Sequence, residues 1–163
     1  MGSDYIIRAA TVADQPTLLA IVWKTVMASD RDRETQLAHP EAVEVPIEQL
    51  TSATACVAEI GGGAVGFAIV LPRADGEAEL DGLFVDPERQ RLGIGRQLVE
   101  RTKELGRAMG ASTLHVVAND DAIAFYRSVG FIQTGVTQTQ FAAAPLMRLA
   151  LRAAPSDTAV KRE

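Results

Sequence analysis

The residues whose types and spacing carry the most chemistry run from Glu79 to Gln97, Glu-Leu-Asp-Gly-Leu-Phe-Val-Asp-Pro-Glu-Arg-Gln-Arg-Leu-Gly-Ile-Gly-Arg-Gln. Gly93 and Gly95 stand among Arg89, Arg91 and Arg96, at the head of a helical spacing of apolar residues: Ile94, Leu98, Val99, Leu105 and Met109. The first turn of a helix has backbone N–H groups without partners and a positive dipole end. Glycines let an oxyanion approach that backbone closely, and phosphate is the usual guest. The chemistry implied is anion capture; the plainer alternative is a strand-to-helix turn with solvated arginines. Two phosphate loops are excluded directly. A P-loop needs Lys and then Ser or Thr after its last glycine, where Arg96-Gln97 stands. The dinucleotide fingerprint needs a third glycine, where Leu98 stands.

A third pattern fits. Gln90-x-x-Gly93-x-Gly95, with Val85-x-Pro87 ahead of it, matches the acyl-CoA loop Gln/Arg-x-x-Gly-x-Gly/Ala at every fixed position. A second stretch, Asn119-x-x-Ala122-x-x-Phe125-Tyr126-x-x-x-Gly130-Phe131, follows the strand-like run Thr113 to Val117. In order and spacing the two resemble the signatures of the GNAT-type N-acetyltransferases. By element order the resemblance covers Tyr5 to Leu151; its motifs are specific only from Glu79 to Phe131.

The resemblance implies direct acetyl transfer from acetyl-CoA, a cosubstrate, to a primary amine of a small molecule or protein. It implies that the backbone of Gln90, Arg91, Leu92, Gly93, Ile94, Gly95 and Arg96 holds the pyrophosphate. The edge of the preceding strand at Leu83, Phe84 and Val85 would pair with the pantetheine arm and supply oxyanion donors. Asn119, Ala122 and Phe125 belong to the motif beside that arm; Asn119 would bond it or cap the helix opening at Asp120, and Phe125 would pack near it or simply in the core.

The motif assigns Tyr126 as proton donor to the leaving thiolate, since a phenol titrating near ~10 is protonated at neutral pH. The alternative is a core tyrosine beside Phe125 with its hydroxyl on a backbone carbonyl. For the base, Glu79 and Asp81 lie two apart and share a face of a regular strand. Paired carboxylates could raise each other's pKa. Glu79 is preferred to Asp81; either could merely solvate the strand, and no base is needed if the free amine binds. A non-catalytic acyl-CoA-binding or sensing domain of the same fold is the alternative function.

Bulk composition is compatible with this. The chain has 163 residues, 47% apolar and 23% charged, which suits one domain with a proper core. We expect a single N-acetyltransferase domain over residues 1–152 and a polar tail over 153–163. No apolar run reaches membrane-spanning length and no secretory pattern is present, so a cytoplasmic protein without membrane contact is expected. A net charge of −5 argues against a nucleic-acid partner. The one cysteine, Cys56, excludes an internal disulfide, and with His39 and His115 the only histidines no Cys/His metal cluster can form. No metal is expected, and His115 reads as structural for want of a visible partner.

The elements that must position these residues follow. Tyr5 to Arg8 reads as a strand. Thr11 is an N-cap candidate with Asp14 at capping-box distance, before a helix with Leu18, Leu19, Val22 and Val26 on one side. Asp30 to Leu50 is acidic and interrupted by Pro40 and Pro46, so a short helix or two is expected there. By the resemblance this region covers the acceptor side; its carboxylates would either favour a cationic acceptor or form a solvated face.

Thr54 to Ile60 and Ala64 to Leu71 flank Gly61-Gly62-Gly63, a hairpin signal. Gly66 weakens the second strand unless a backbone or ligand approaches it. Gly110 closes the long helix, and Phe131 to Gln138 and Leu146 to Leu151 are two further strands. The fold implied is α/β (α+β): a mixed, mostly antiparallel sheet of six to seven strands with helices on both faces. By the resemblance it splays between its fourth and fifth strands, with a bulge for which Asp81-Gly82 is the candidate. If the chain forms a homodimer, Phe141 to Leu151 would supply the interface. The acceptor's identity stays open.

Overall fold

The computed structural model describes residues 4–51 and 54–151. Among these residues seven strands form one sheet: β1 (Tyr5–Ala9), β2 (Ala55–Ile60), β3 (Gly63–Pro72), β4 (Ala78–Val85), β5 (Thr113–Val117), β6 (Ile132–Gln138) and β7 (Ala143–Ala150). Their order is β1-β2-β3-β4-β5-β7-β6. The sheet is mostly antiparallel, with one parallel pair, β4 with β5. The helices are α1 (Gln15–Ala28), α2 (Arg33–Ala38), α3 (Glu48–Thr51), α4 (Ile94–Ala108) and α5 (Ile123–Ser128). The expected order stands, with α2 and α3 in the acidic stretch, whose carboxylates at Asp30, Glu34, Glu41, Glu44 and Glu48 are exposed. The expected tail, 153–163, lies outside the described residues. Among the described residues no helix is long and apolar enough to cross a membrane. The chain divides into two compact units: the described residues up to Ile69 with Gly82–Thr102, and Val70–Asp81 with the described residues from Lys103 onward.

In the first unit the hairpin between β2 and β3 turns on Gly61 and Gly62, at φ +56° and +85°. A two-residue loop with both central residues at positive φ matches the twist of its strands. From Ala55 to Ala58 and from Val65 to Ile69 every residue is buried, the near-continuous apolar run of strands covered on both faces. Helix α1 buries Leu18, Ile21, Val22 and Val26, Ile21 taking the core place expected of Leu19. Arg8 ties β1 to its surroundings: Nε donates to Glu59 at 2.6 Å and the two terminal nitrogens donate to the Asp14 carboxylate at 2.8 and 2.9 Å. Asp14 also accepts from the Thr11 N–H at 2.8 Å, one half of the expected capping box between Thr11 and Asp14.

In the second unit β5, β7 and β6 form an antiparallel ladder in which burial alternates. Leu114, Val116, Met147 and Leu149 are buried; His115, Val117 and Arg148 between them are partly or fully exposed. Helices α4 and α5 end alike. Gly110 (φ +83°) donates to Arg107 O while Ala111 donates to Gly106 O. Gly130 (φ +108°) donates to Arg127 O while Phe131 donates to Tyr126 O. Both are Schellman closures, in which a left-handed residue satisfies the last carbonyls of a helix.

Candidate active site

The first unit holds an anion cradle. Asp86, 8% exposed, ends β4 and fixes the start of the loop. Its N–H donates to Val65 O at 2.8 Å, its carboxylate accepts from the Glu88 N–H at 3.0 Å, and Lys24 Nζ on α1 donates to Oδ2 at 3.0 Å. Burial pushes its carboxyl pKa up, but the Glu88 amide and the Lys24 ammonium outweigh burial and hold it below the usual carboxylate range.

The Arg89 N–H donates to Asp86 O, and the Gln97 N–H donates to Gly93 O. Between them the amides of residues 90 to 95 have no backbone partner among the described residues. Gly93 takes φ +79° and Arg91 takes φ +71°, the one non-glycine residue at positive φ among those described. Such a conformation costs a residue with a Cβ about 1–2 kcal/mol. The Tyr5 hydroxyl donates to Gly93 O at 3.2 Å, pinning the loop to β1. Arg89, Gln90, Arg91, Leu92 and Arg96 are exposed and Ile94 is buried. The opening of α4 thus presents unpaired amides, its positive end and exposed cations, which fits a pyrophosphate.

The glycine inside β3 explains how α4 is set. A Cβ on Gly66 would lie 3.0 Å from Phe84 O, 3.3 Å from Leu98 Cδ1 and 3.4 Å from Ile94 Cγ2. The expected close approach is therefore both backbone and helix. Phe84 stacks on Phe67 with ring centroids 5.3 Å apart, and Leu83 and Val85 flank it, half-buried.

The second unit holds the titratable candidates. Tyr126 is 7% exposed and lies edge-on to Phe125 and Phe131, at centroid distances of 5.4 and 5.2 Å. The Tyr126–Phe131 contact is the apolar partner of the α5 closure, so the Gly-Phe end of the motif is what holds the tyrosine ring. Its hydroxyl has no hydrogen-bond partner among the described residues, which removes the carbonyl-bonded alternative. Burial pushes the phenol pKa up to about 12 rather than leaving it near 10.

Asn119 is exposed, and its side chain does not cap; the turn it precedes is a 3₁₀ turn, Asp120–Ala122, before α5. Ala122 and Phe125 are half-buried. Glu79 and Asp81 alternate with buried Ala78 and Leu80 and so share the opposite face of β4. The Asp81 carboxyl pKa is raised, and partial burial alone is the cause; Glu79 plays no part, contrary to the paired-carboxylate expectation. The parallel ladder of β4 with β5 consists of Ala78↔Leu114 and Glu79↔His115 and stops there, ahead of Asp81-Gly82. Gly82 is not at positive φ, so a bulge at Asp81-Gly82 would be of the type that needs no left-handed glycine.

His115, read above as lacking a partner, has Glu79 as its lateral neighbour. Its pKa is lowered, first by burial, then by Arg73. Glu77 was also missed. Its carboxylate accepts from the N–H groups of Ser112 and Thr113, at 2.9 and 2.8 Å, clipping the start of β5 to the turn before β4. Asp86 carried a readable signal, the Asp-Pro turn; Lys24, Tyr5 and Glu77 act across long sequence separations and carried none. Among the described residues no three His, Cys, Asp or Glu side chains are grouped to hold a metal ion.

Comparison with known proteins agrees with this geometry. An amino-acid acetyltransferase of Pseudomonas putida is 34% identical over 142 residues, covering 86% of this chain and 31% of the relative. The chain therefore spans under a third of the length of that relative. N-acetyltransferase family 8 member 3 of Rattus norvegicus is 31% identical over 144 residues, covering 82% of this chain and 61% of the relative. The fold matches the crystal structure of the PaiA N-acetyltransferase of Thermoplasma acidophilum in complex with coenzyme A, with a TM-score of 0.72 and 20% identity, covering 92% of this chain and 99% of that one. The profile of the acetyltransferase (GNAT) family matches residues 23–131. That match takes in the amide cradle and the tyrosine alike, and the chain belongs to the acetyltransferase (GNAT) family.

Proposed function

We propose that this chain moves the acetyl group of acetyl-CoA directly onto a primary amine of a small molecule or protein, with residues 1–152 acting as one cytoplasmic N-acetyltransferase domain. The observation that carries the reading is the run of amides from 90 to 95 that have no backbone partner among the described residues, at the opening of α4 in a chain of this family. The amides of Gln90, Arg91, Leu92, Gly93, Ile94, Gly95 and Arg96 would hold the pyrophosphate, with the arginine side chains adding charge. The edge of β4 at Leu83, Phe84 and Val85 would pair with the pantetheine arm and donate to the oxygen that gains charge. Asn119, Ala122 and Phe125 would border the arm; the exposed Asn119 amide has donors and acceptors for it.

The amine arrives as an ammonium and must lose a proton. Glu79 is the base of choice, with Asp81 the alternative: its raised pKa makes it the more basic of ordinary aspartates. The nitrogen lone pair then forms the C–N bond, the C–S bond breaks, the sulfur leaves as thiolate, and the nitrogen gives up its second proton to water to become the neutral amide. Tyr126 supplies the hydrogen bond that stabilises it. With a phenol pKa of about 12 and a thiol near 8.5, complete proton transfer would be uphill by about 5 kcal/mol. The phenol therefore acts as a neutral donor to developing charge, and the thiolate takes up at release, through water, the second proton that the nitrogen gave up.

The test is binding and turnover together. Calorimetry should show the purified chain binding acetyl-CoA, and free thiol should appear only when an amine from a panel of amino acids, polyamines, aminoglycosides and peptides is added. Binding with no acceptor-dependent release would move the reading to a non-catalytic acyl-CoA sensor. Absence of binding would overturn it.

A further inference from the structure

The second unit has one sheet face that is not buried, and its charges are arranged in a file. On β5 and β7 the residues of the other face, Leu114, Val116, Met147 and Leu149, are buried, while His115, Val117, Arg148 and Ala150 are not. Ladder partners point to the same side of a sheet. Glu79 on β4 pairs with His115 on β5, and His115 pairs with Arg148 on β7. Three adjacent strands thus set a carboxylate, an imidazole and a guanidinium side by side. Asp81 joins the carboxylate end, two residues along β4 from Glu79. The outer strands of the file are two inter-strand spacings apart, roughly 10 Å between backbones. Arg148 and Asp81 are exposed and Glu79 is half-buried, and none of the three has a hydrogen-bond or ion-pair partner among the described residues.

Two charges of opposite sign on one face would ordinarily close on each other or be scattered in sign. Here the intervening histidine strand holds them apart and leaves both open. A ligand complementary to the file carries a cation at the β4 end and an anion at the β7 end. Resting on the acetyl-transfer reading above, we propose that the amine acceptor is zwitterionic, a free amino acid, with Arg148 binding its carboxylate while Glu79 and Asp81 face its ammonium. The planar guanidinium suits this because it takes a carboxylate in two parallel hydrogen bonds. Arg148 is then a specificity-determining residue: it touches a part of the acceptor that does not react.

The experiment measures binding, so that its outcome does not depend on turnover. The full chain, with coenzyme A present, is titrated calorimetrically with the twenty L-amino acids, each beside its own carboxamide. The expected result is at least one acid bound more tightly than its amide by about ten- to hundredfold, the usual worth of a charge-assisted bidentate contact. Arg148→Gln should abolish that preference while leaving the affinity for the amide unchanged, and Arg148→Lys should restore part of it. If no acid outcompetes its amide, or if Arg148→Gln keeps the preference, the proposal is overturned. Failure of acetyl transfer itself would show separately, as acid binding that depends on Arg148 without thiol release from acetyl-CoA.

Discussion

Two residues concentrate the local chemistry, and both sit where their neighbours force an unusual state. Tyr126 is enclosed by Phe125 and Phe131, and burial raises its phenol pKa to about 12. A raised phenol pKa means the neutral form is favoured in the fold, so the proton is retained through pH 10 and is lost only as pH approaches 12. The alkaline limb of a pH–rate profile below that range therefore belongs to another group. Tyr126→Phe should lower kcat about 10²-fold, the low end for proton-transfer assistance because the phenol only donates a hydrogen bond. It should leave the affinity for coenzyme A within about twofold, since a ring of the same shape remains and a single lost hydrogen bond to the sulfur is worth little there. Unchanged turnover would remove Tyr126 from the mechanism.

Arg91 is the second. At φ +71° it bears strain that a glycine would not, at the place where the loop amides turn outward. Arg91→Gly should thus raise stability by about 1 kcal/mol or leave it level after the entropy cost of glycine, while weakening coenzyme A binding through the lost charge. Urea denaturation and calorimetry on the same sample read the two effects; a parallel loss of both would show that the strain argument is wrong.

At the scale of elements, the decisive contacts are those that fix α4 on the sheet. Gly66→Ala is the sharpest probe. The added Cβ would meet Phe84 O at 3.0 Å, a backbone atom that cannot rotate away, as well as Leu98 and Ile94 of α4. Overpacking of this kind costs about 1–3 kcal/mol. Because the atoms displaced belong to β4 and the first turns of α4, coenzyme A affinity should fall along with stability. A stable variant with unimpaired affinity would show that α4 is not positioned through β3.

Much of this level was legible in the sequence. The hairpin at Gly61-Gly62, the end of α4 at Gly110 and the run from Val85 through Gly95 announce themselves because each is a local backbone demand that only glycine, proline or a cap residue meets cheaply. The Gly130-Phe131 end of the second motif belongs here too, although its reason, a ring held on Tyr126, became visible only in the fold. What stayed hidden is of the opposite kind. Lys24 reaches Asp86, Tyr5 reaches Gly93 O, Glu77 reaches Ser112 and Glu79 stands beside His115. These pairings depend on strand order, which no local pattern encodes; of the two alternatives at Asn119, the cap is not made.

For the molecule as a whole, pH is the lever that tests how its carboxylates are held. Asp14, Asp86, Glu77 and Asp75 all have pKa values lowered in the fold. Asp14 is the one whose cause is clearest: hydrogen bonds from the Arg8 guanidinium bring it to about 2, against the opposing effect of burial. A depressed carboxylate contributes stability that is fully present above its unfolded pKa of 3.8 and is lost as pH falls through the folded value. The window is therefore from about pH 4 down to about 2, and the contribution at neutral pH is about 2 kcal/mol. Asp14→Asn removes the charge but keeps the shape and one acceptor oxygen. The variant should be less stable than the parent by about 2 kcal/mol at pH 7, and the gap should shrink to about half of that at pH 3. Urea midpoints at the two pH values measure it. A gap that does not change with pH would assign the loss to packing or to the Thr11 N–H bond, and the Arg8–Asp14 charge pair would then have no part in holding β1 to the turn that opens α1.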